Sequence, residues 1–175
     1  VESQVTAADG TYSFTGISPG SYTVEEAAQA GWTQSYPSGN LYTAVSNSGQ
    51  IKITKADLSE VSATEVDFGN FRTTGFSGMK FEDLNGNGAK DAGEPGLSGW
   101  TIKLMKEGTT VESQVTAADG TYSFTGISPG SYTVEEAAQA GWTQSYPAGN
   151  IYSAVSSSGQ IKITKADLSE VSATE

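Results

Sequence analysis

ADGTYSFTGISPGSYTVEEAAQAGW, residues 118–142, is the stretch whose reading decides the fold. Asp119-Gly120 is a strong hairpin turn signal. Residues 121–127 then alternate, which puts Tyr122 and Phe124 on one face. Ser128-Pro129-Gly130 is a second turn, because Pro presets one turn dihedral and Gly tolerates the other. Residues 132–137 form the following strand, with Val134 expected inside. Upstream, WTIKLMK (residues 100–106) alternates with Trp100, Ile102 and Leu104 on one face. Residues 76–82, 110–115, 151–155 and 160–165 read as further strands, and VDFGNF (66–71) as a last one. Seven to eight short strands at regular spacing predict an all-β chain built as antiparallel, Ig-like β-sandwiches. The competing helix candidate is ADLSEVSA, residues 166–173, which also reads as a short turn.

The same stretch occurs twice. Residues 1–65 return as residues 111–175 and differ only at Ser38/Ala148, Leu41/Ile151, Thr43/Ser153 and Asn47/Ser157. An offset of 111 − 1 = 110 residues is too long for a solenoid unit and suits a whole small β domain. The frame is shifted. Residues 1–72 read as the C-terminal part of one repeat, 73–74 as a linker, and 75–175 as the next repeat without its last strand. A sheet lacking a strand has an open edge, and open edges recruit strands. Neighbouring copies of the repeat, in a tandem array or fibre, are therefore the expected partners, with strand exchange between units as one way to join them.

Composition narrows the function. Twenty acids against nine bases give a net charge of −11. Such a chain repels nucleic-acid phosphates and anionic lipid, and attracts cations. It contains no His and no Cys. The usual zinc ligands, thiol nucleophiles, disulfides and His-dependent triads are therefore absent. Glu135 and Glu136 are neighbours on a strand and face opposite sides, so they are no glycosidase pair. No apolar run approaches the roughly 18 residues of a membrane span. The chain does not read as an enzyme.

One motif carries chemistry. DLNGNGAKDAGE, residues 83–94, matches the twelve-position calcium loop D-x-[DN]-x-[DN]-G-x₅-E in full. Asp83, Asn85, Asn87, Asp91 and Glu94 supply side-chain oxygens at positions 1, 3, 5, 9 and 12. Ala89 at position 7 would add its carbonyl, and Gly88 permits the bend. Calcium takes six to eight oxygens at flexible distances, which this spacing can wrap around one ion. The helices of a helix-loop-helix hand are missing, so the EF-hand-like loop sits between the first two strands. Two of the five side-chain ligands are amides, and the lower charge predicts affinity suited to extracellular calcium.

FEDLNGNGAKDAGEPGLSGWTIKL (81–104), residues 118–142, their copy at 8–32, and VDFGNF (66–71) together resemble the calcium-binding B domains of serine-aspartate repeat surface proteins. These form a branch of the collagen-adhesin B-type family. The resemblance implies a prealbumin-like sandwich, tandem arrangement, an extracellular or cell-surface location, and a spacer or filament role stiffened by calcium. It also implies further calcium ligands at Asp119 (copy Asp9), Glu136 (copy Glu26) and Asp67. Some members of that family carry a Lys–Asn or Lys–Asp isopeptide crosslink promoted by a buried Glu, and Glu136, Glu26 and Asn70 match its positions. The Lys does not, since Phe81 stands in its place and strand alternation would turn Lys80 to the other face. A crosslink is accordingly not expected.

The other function class is an adhesin module that binds a host or matrix protein or carbohydrate directly. The Trp and Tyr-Pro pairs at 32–37 and 142–147 offer aromatic surface for it. Such aromatics more often cap a core, and loops repeated almost unchanged point to spacing.

Overall fold

The computed structural model describes residues 2–147, 149, 151–165 and 170–171. All regular structure among them is β, and the chain divides into two compact units, Val1–Asn70 and Phe71–Glu175. The first unit contains β1 (Gly20–Glu25), β2 (Thr33–Tyr36), β3 (Leu41–Asn47), β4 (Gln50–Thr54) and β5 (Glu60–Val61), and β6 (Gly69–Phe71) closes it. Its antiparallel sheet has the order β1-β3-β4-β5, and β2 pairs with β6. Tyr42, Ala44 and Ile53 form its small core, with Val24, Val66 and Phe68 packed against them.

The second unit contains β7 (Thr74–Met79), β8 (Thr101–Lys106), β9 (Thr109–Val115), β10 (Thr121–Ile127), β11 (Gly130–Glu136), β12 (Ile151–Ser157), β13 (Gln160–Lys165) and β14 (Glu170–Val171). Six strands form one sheet, in the order β14-β13-β12-β11-β8-β9, and β10 pairs with β7 in a second. Phe76 and Phe124 of the small sheet, with ring centroids 5.2 Å apart, belong to one core with Ile102, Leu104, Val134, Ala154 and Ile163 of the large one. Alternation along each strand produces this. Trp100, Ile102 and Leu104 are all buried, as are Phe124 and Val134.

Two sequence expectations change. The Asp119-Gly120 turn does not join paired strands, because β9 pairs with β8 whereas β10 pairs with β7. The chain crosses there from one sheet to the other, which a local turn signal cannot distinguish from a hairpin. The first strand begins at Thr74 and ends at Met79, earlier than expected, and Phe81 instead makes a single bridge to Gly96. Most of the 166–173 helix candidate lies outside the described residues. Its copy at 56–63 contains the short strand β5 and no helix.

The identical halves form an internal control. Phe124 is fully buried, whereas its copy Phe14 is only partly so. Tyr132 is 9% exposed and its copy Tyr22 is 40% exposed. The cause is visible in the topology, since β11 lies between β12 and β8 while β1 pairs with β3 alone. Phe124→Ala should therefore cost the second unit about 3–5 kcal/mol, the usual figure for emptying a buried Phe site. Phe14→Ala should cost the first unit less than about half of that. Calorimetric unfolding of the two single variants would compare them, and equal losses would contradict the unequal packing.

Candidate metal loop and the buried carboxylate beside it

The segment after β7 leaves the sheet and winds on its own oxygens. Asp83 accepts hydrogen bonds from the backbone N–H of Asn87 (3.1 Å) and of Gly88 (2.8 Å). Asn85 Oδ1 accepts from Asn87 N–H, and Asn87 Oδ1 from Ala89 N–H. Both amide groups, Asn85 Nδ2 and Asn87 Nδ2, donate to Asp91 Oδ2 at 2.8 Å. Glu94 is buried at 7% exposure, and its two carboxylate oxygens accept from the N–H groups of Leu84 (3.0 Å) and Asp91 (2.9 Å). Gly88 has φ of 73°, the left-handed bend that the sixth position of such a loop requires. All six candidate ligands thus belong to one hydrogen-bonded turn.

The electrostatics point the same way. Hydrogen bonds to the ionised form, chiefly from the Gly88 backbone and also from the Ser145 side chain, hold the Asp83 carboxyl below its usual range. Lys90 Nζ donates to the carbonyl oxygens of Glu94 (2.8 Å) and Asp91 (3.3 Å). The donor set of carboxylate, amide and carbonyl oxygen suits a hard cation. Among the described residues no three acidic side chains converge closely enough to hold a metal by themselves.

The additional acids are engaged elsewhere. Asp119 Oδ1 accepts from Thr121 N–H (3.0 Å) and from Thr121 Oγ1 (2.6 Å), and Asp9 holds Thr11 in the same way. These bonds, the Thr side chain first, lower both carboxyls. Glu136 Oε2 takes Lys80 Nζ at 2.8 Å, with side-chain exposures of 9% and 15%. This corrects the expected direction of Lys80. Regular pleating stops at Met79, so alternation no longer governs the next residue. Lys80 turns inward, with its ammonium 4.5 Å from the centre of the Trp100 ring.

The first unit shows the other half of the arrangement. Asn70 Nδ2 donates to Glu26 Oε1 at 2.6 Å, while Glu26 Oε2 is buried with no hydrogen-bond partner among the described residues. Glu26 and Glu136 occupy the same place in the repeat. One copy engages the carboxylate from the last strand, and the other from the residue just after the first strand, β7. Of the aromatic pairs, Trp142 lies edge-on to Trp100 at 5.3 Å and Tyr146 against Tyr152 at 6.4 Å, while Trp32, Tyr36 and Trp142 each remain exposed.

A sequence profile of the SdrD B-like domain matches residues 77–173, more than half of the chain. The chain belongs to the SdrD B-like domain family. Relatives include serine-aspartate repeat-containing protein F of Staphylococcus epidermidis, 33% identical over 79% of this chain and 8% of the relative. Serine-aspartate repeat-containing protein D of Staphylococcus aureus (strain Newman) is 31% identical over 79% of this chain and 11% of the relative. The chain spans about a tenth of the length of these curated relatives. The family is one of surface-protein structural repeats and not of enzymes, and membership places this SdrD B-like chain outside the cell, at the surface.

The buried Lys80–Glu136 pair of this SdrD B-like repeat is open to a direct test. Removing one partner strands a charge in the interior, so Lys80→Met should destabilise the second unit by about 3–5 kcal/mol. Lys80→Met combined with Glu136→Leu should recover much of that loss. Urea unfolding would measure both, and a Lys80→Met variant as stable as the parent would disprove the pairing.

Proposed function

We propose that the chain is a calcium-stabilised structural repeat of an extracellular surface protein, stalk or filament, in which neighbouring units complete one another's sheets. The observation that carries this reading is the 83–94 turn, whose oxygen-bearing side chains are tied into one network around a buried Glu94. Asp83, Asn85, Asn87, Asp91 and Glu94 would hold the ion through side chains and Ala89 through its carbonyl. The ion would supply positive charge to a loop whose three carboxylates otherwise repel one another. It would also tie the exit of β7 to the approach of β8, a staple for a domain without disulfides. Free calcium at a hundred times Kd should stabilise the second unit by about 2.7 kcal/mol. Thermal unfolding in calcium and then in excess chelator measures this. Asp83→Asn with Glu94→Gln should abolish the difference, and a parent chain indifferent to chelator would refute calcium stabilisation.

A second reading is favoured by Lys80 on Glu136 and Asn70 on Glu26. In a repeat holding both flanking strands, one carboxylate would face a lysine and an asparagine together. Lys Nζ would attack the Asn side-chain carbonyl carbon and an amide would form. The carboxylate would take one proton from the ammonium before attack and a second as the amide forms, and relay both to the departing –NH2 group as its C–N bond breaks, so that ammonium leaves. The chain extended after Glu175 by the sequence of residues 66–72 provides the test. Its intact mass in denaturant should be lower by one ammonia, and Glu136→Ala should restore the full mass. A full mass in the parent would rule out the crosslink.

A further inference from the structure

We infer that Asn85 is a self-modification site, its side-chain amide converted to a carboxylate through ring closure by the Gly86 backbone nitrogen, with water as the co-reactant. The inference stands on the loop's own groups and does not depend on a bound cation.

The chain has six asparagines, and only Asn85 and Asn87 precede glycine. That neighbour matters because the attacking atom is the next residue's backbone nitrogen, and only glycine leaves it without a side chain to obstruct the approach. Both amides are also set for attack at carbon. Asn85 Oδ1 accepts from Asn87 N–H at 3.0 Å, and Asn87 Oδ1 from Ala89 N–H at 2.8 Å. Each bond polarises the side-chain carbonyl and is already in place when negative charge builds on that oxygen. The Nδ2 of each, the group that must leave, is turned to Asp91 Oδ2 at 2.8 Å.

The two attacking nitrogens differ. Gly88 N–H is held by Asp83 Oδ2 at 2.8 Å, and Gly88 is half-buried, where a Cβ would stand 3.3 Å from the Ser145 carbonyl oxygen. Gly86 N–H makes the least of the hydrogen bonds to Asp83, and Gly86 is exposed, with nothing within 4 Å of where a Cβ would be. The Gly86 nitrogen is therefore free to swing onto Asn85 Cγ, whereas the Gly88 nitrogen is pinned.

In the step, the Gly86 nitrogen bonds to Asn85 Cγ and loses its proton to solvent. The Cγ–Nδ2 bond breaks, Nδ2 takes a proton from solvent, and ammonia leaves behind a cyclic imide. Water then opens the ring at either carbonyl. One opening gives aspartate, and the other gives isoaspartate, whose backbone runs through Cβ. Either product adds one negative charge to a loop that already holds Asp83, Asp91 and Glu94. Aspartate here still fits the loop template, whereas isoaspartate lengthens the backbone between its third and fourth positions.

The full 175-residue chain, incubated in chelator and heavy-oxygen water at mildly alkaline pH, provides the test. Trypsin releases residues 81–90, which hold both steps, and tandem mass spectrometry reads each site. Asn85 should convert severalfold faster than Asn87 and carry one heavy oxygen in its new carboxyl. The free peptide 81–90, treated alike, should convert both at similar rates, because the loop's hydrogen bonds are then gone. Asn85 intact in the folded chain after the free peptide has reacted would overturn the inference. So would Asn87 converting in the folded chain as fast as Asn85. The mass readout in chelator leaves calcium stabilisation to be judged separately, by melting.

Discussion

A two-sheet sandwich buries its core only when strands cover both faces, and in this chain the covering strands come from opposite ends of the repeat. The first copy lacks strands beside β1, so Ile17 and Tyr22 remain exposed. Their copies Ile127 and Tyr132 are buried once β8 and β7 are in place. Conversely, Phe68 seals Tyr42 in the first copy. Because the sequences are otherwise almost the same, these differences isolate the contribution of each flanking segment. Burying a large apolar side chain is worth about 1.5–3 kcal/mol. Several such side chains per flank decide whether a domain of this size is stable.

The polar groups follow the same division. One glutamate position receives Lys80 from before the shared region in one copy and Asn70 from after it in the other. A carboxylate so deep is tolerable only with partners, and these come from β6 in one copy and from the residue after β7 in the other. The oxygen-rich turn at 83–94 lies immediately beyond Lys80, and a hydrogen bond from Ser145 reaches Asp83. The oxygen-rich turn and the Lys80–Glu136 pair thus lie in one neighbourhood of the second unit. An acidic chain without cysteine would gain from a cation there what a disulfide supplies in other small domains.

Much of this was legible in residues alone. Alternation at Trp100, Ile102 and Leu104 and at Tyr122 and Phe124 identified inward faces, because burial is periodic along a strand. The turn at 83–94 was readable from spacing, because the groups that bond to one another there are local in sequence. Sheet partnership was not readable. Asp119-Gly120 has hairpin chemistry, but the chain changes sheets there, since a turn encodes direction and not the identity of the next neighbour. Lys80 was misread because alternation was carried one residue past the end of β7. The lysine–glutamate contact joins residues 56 positions apart (136 − 80), which no local pattern reveals.

The most direct measurement is amide hydrogen exchange by NMR, with the two identical strands β1 and β11 assigned separately. Strand β11, paired with β12 and, over Thr133–Glu136, also with β8, should protect successive amides in that doubly paired stretch. Strand β1, bonded on one side, should leave alternate amides exchanging as in an open chain. Equal protection of the two strands would contradict the claim that each repeat is closed by segments from its flanks.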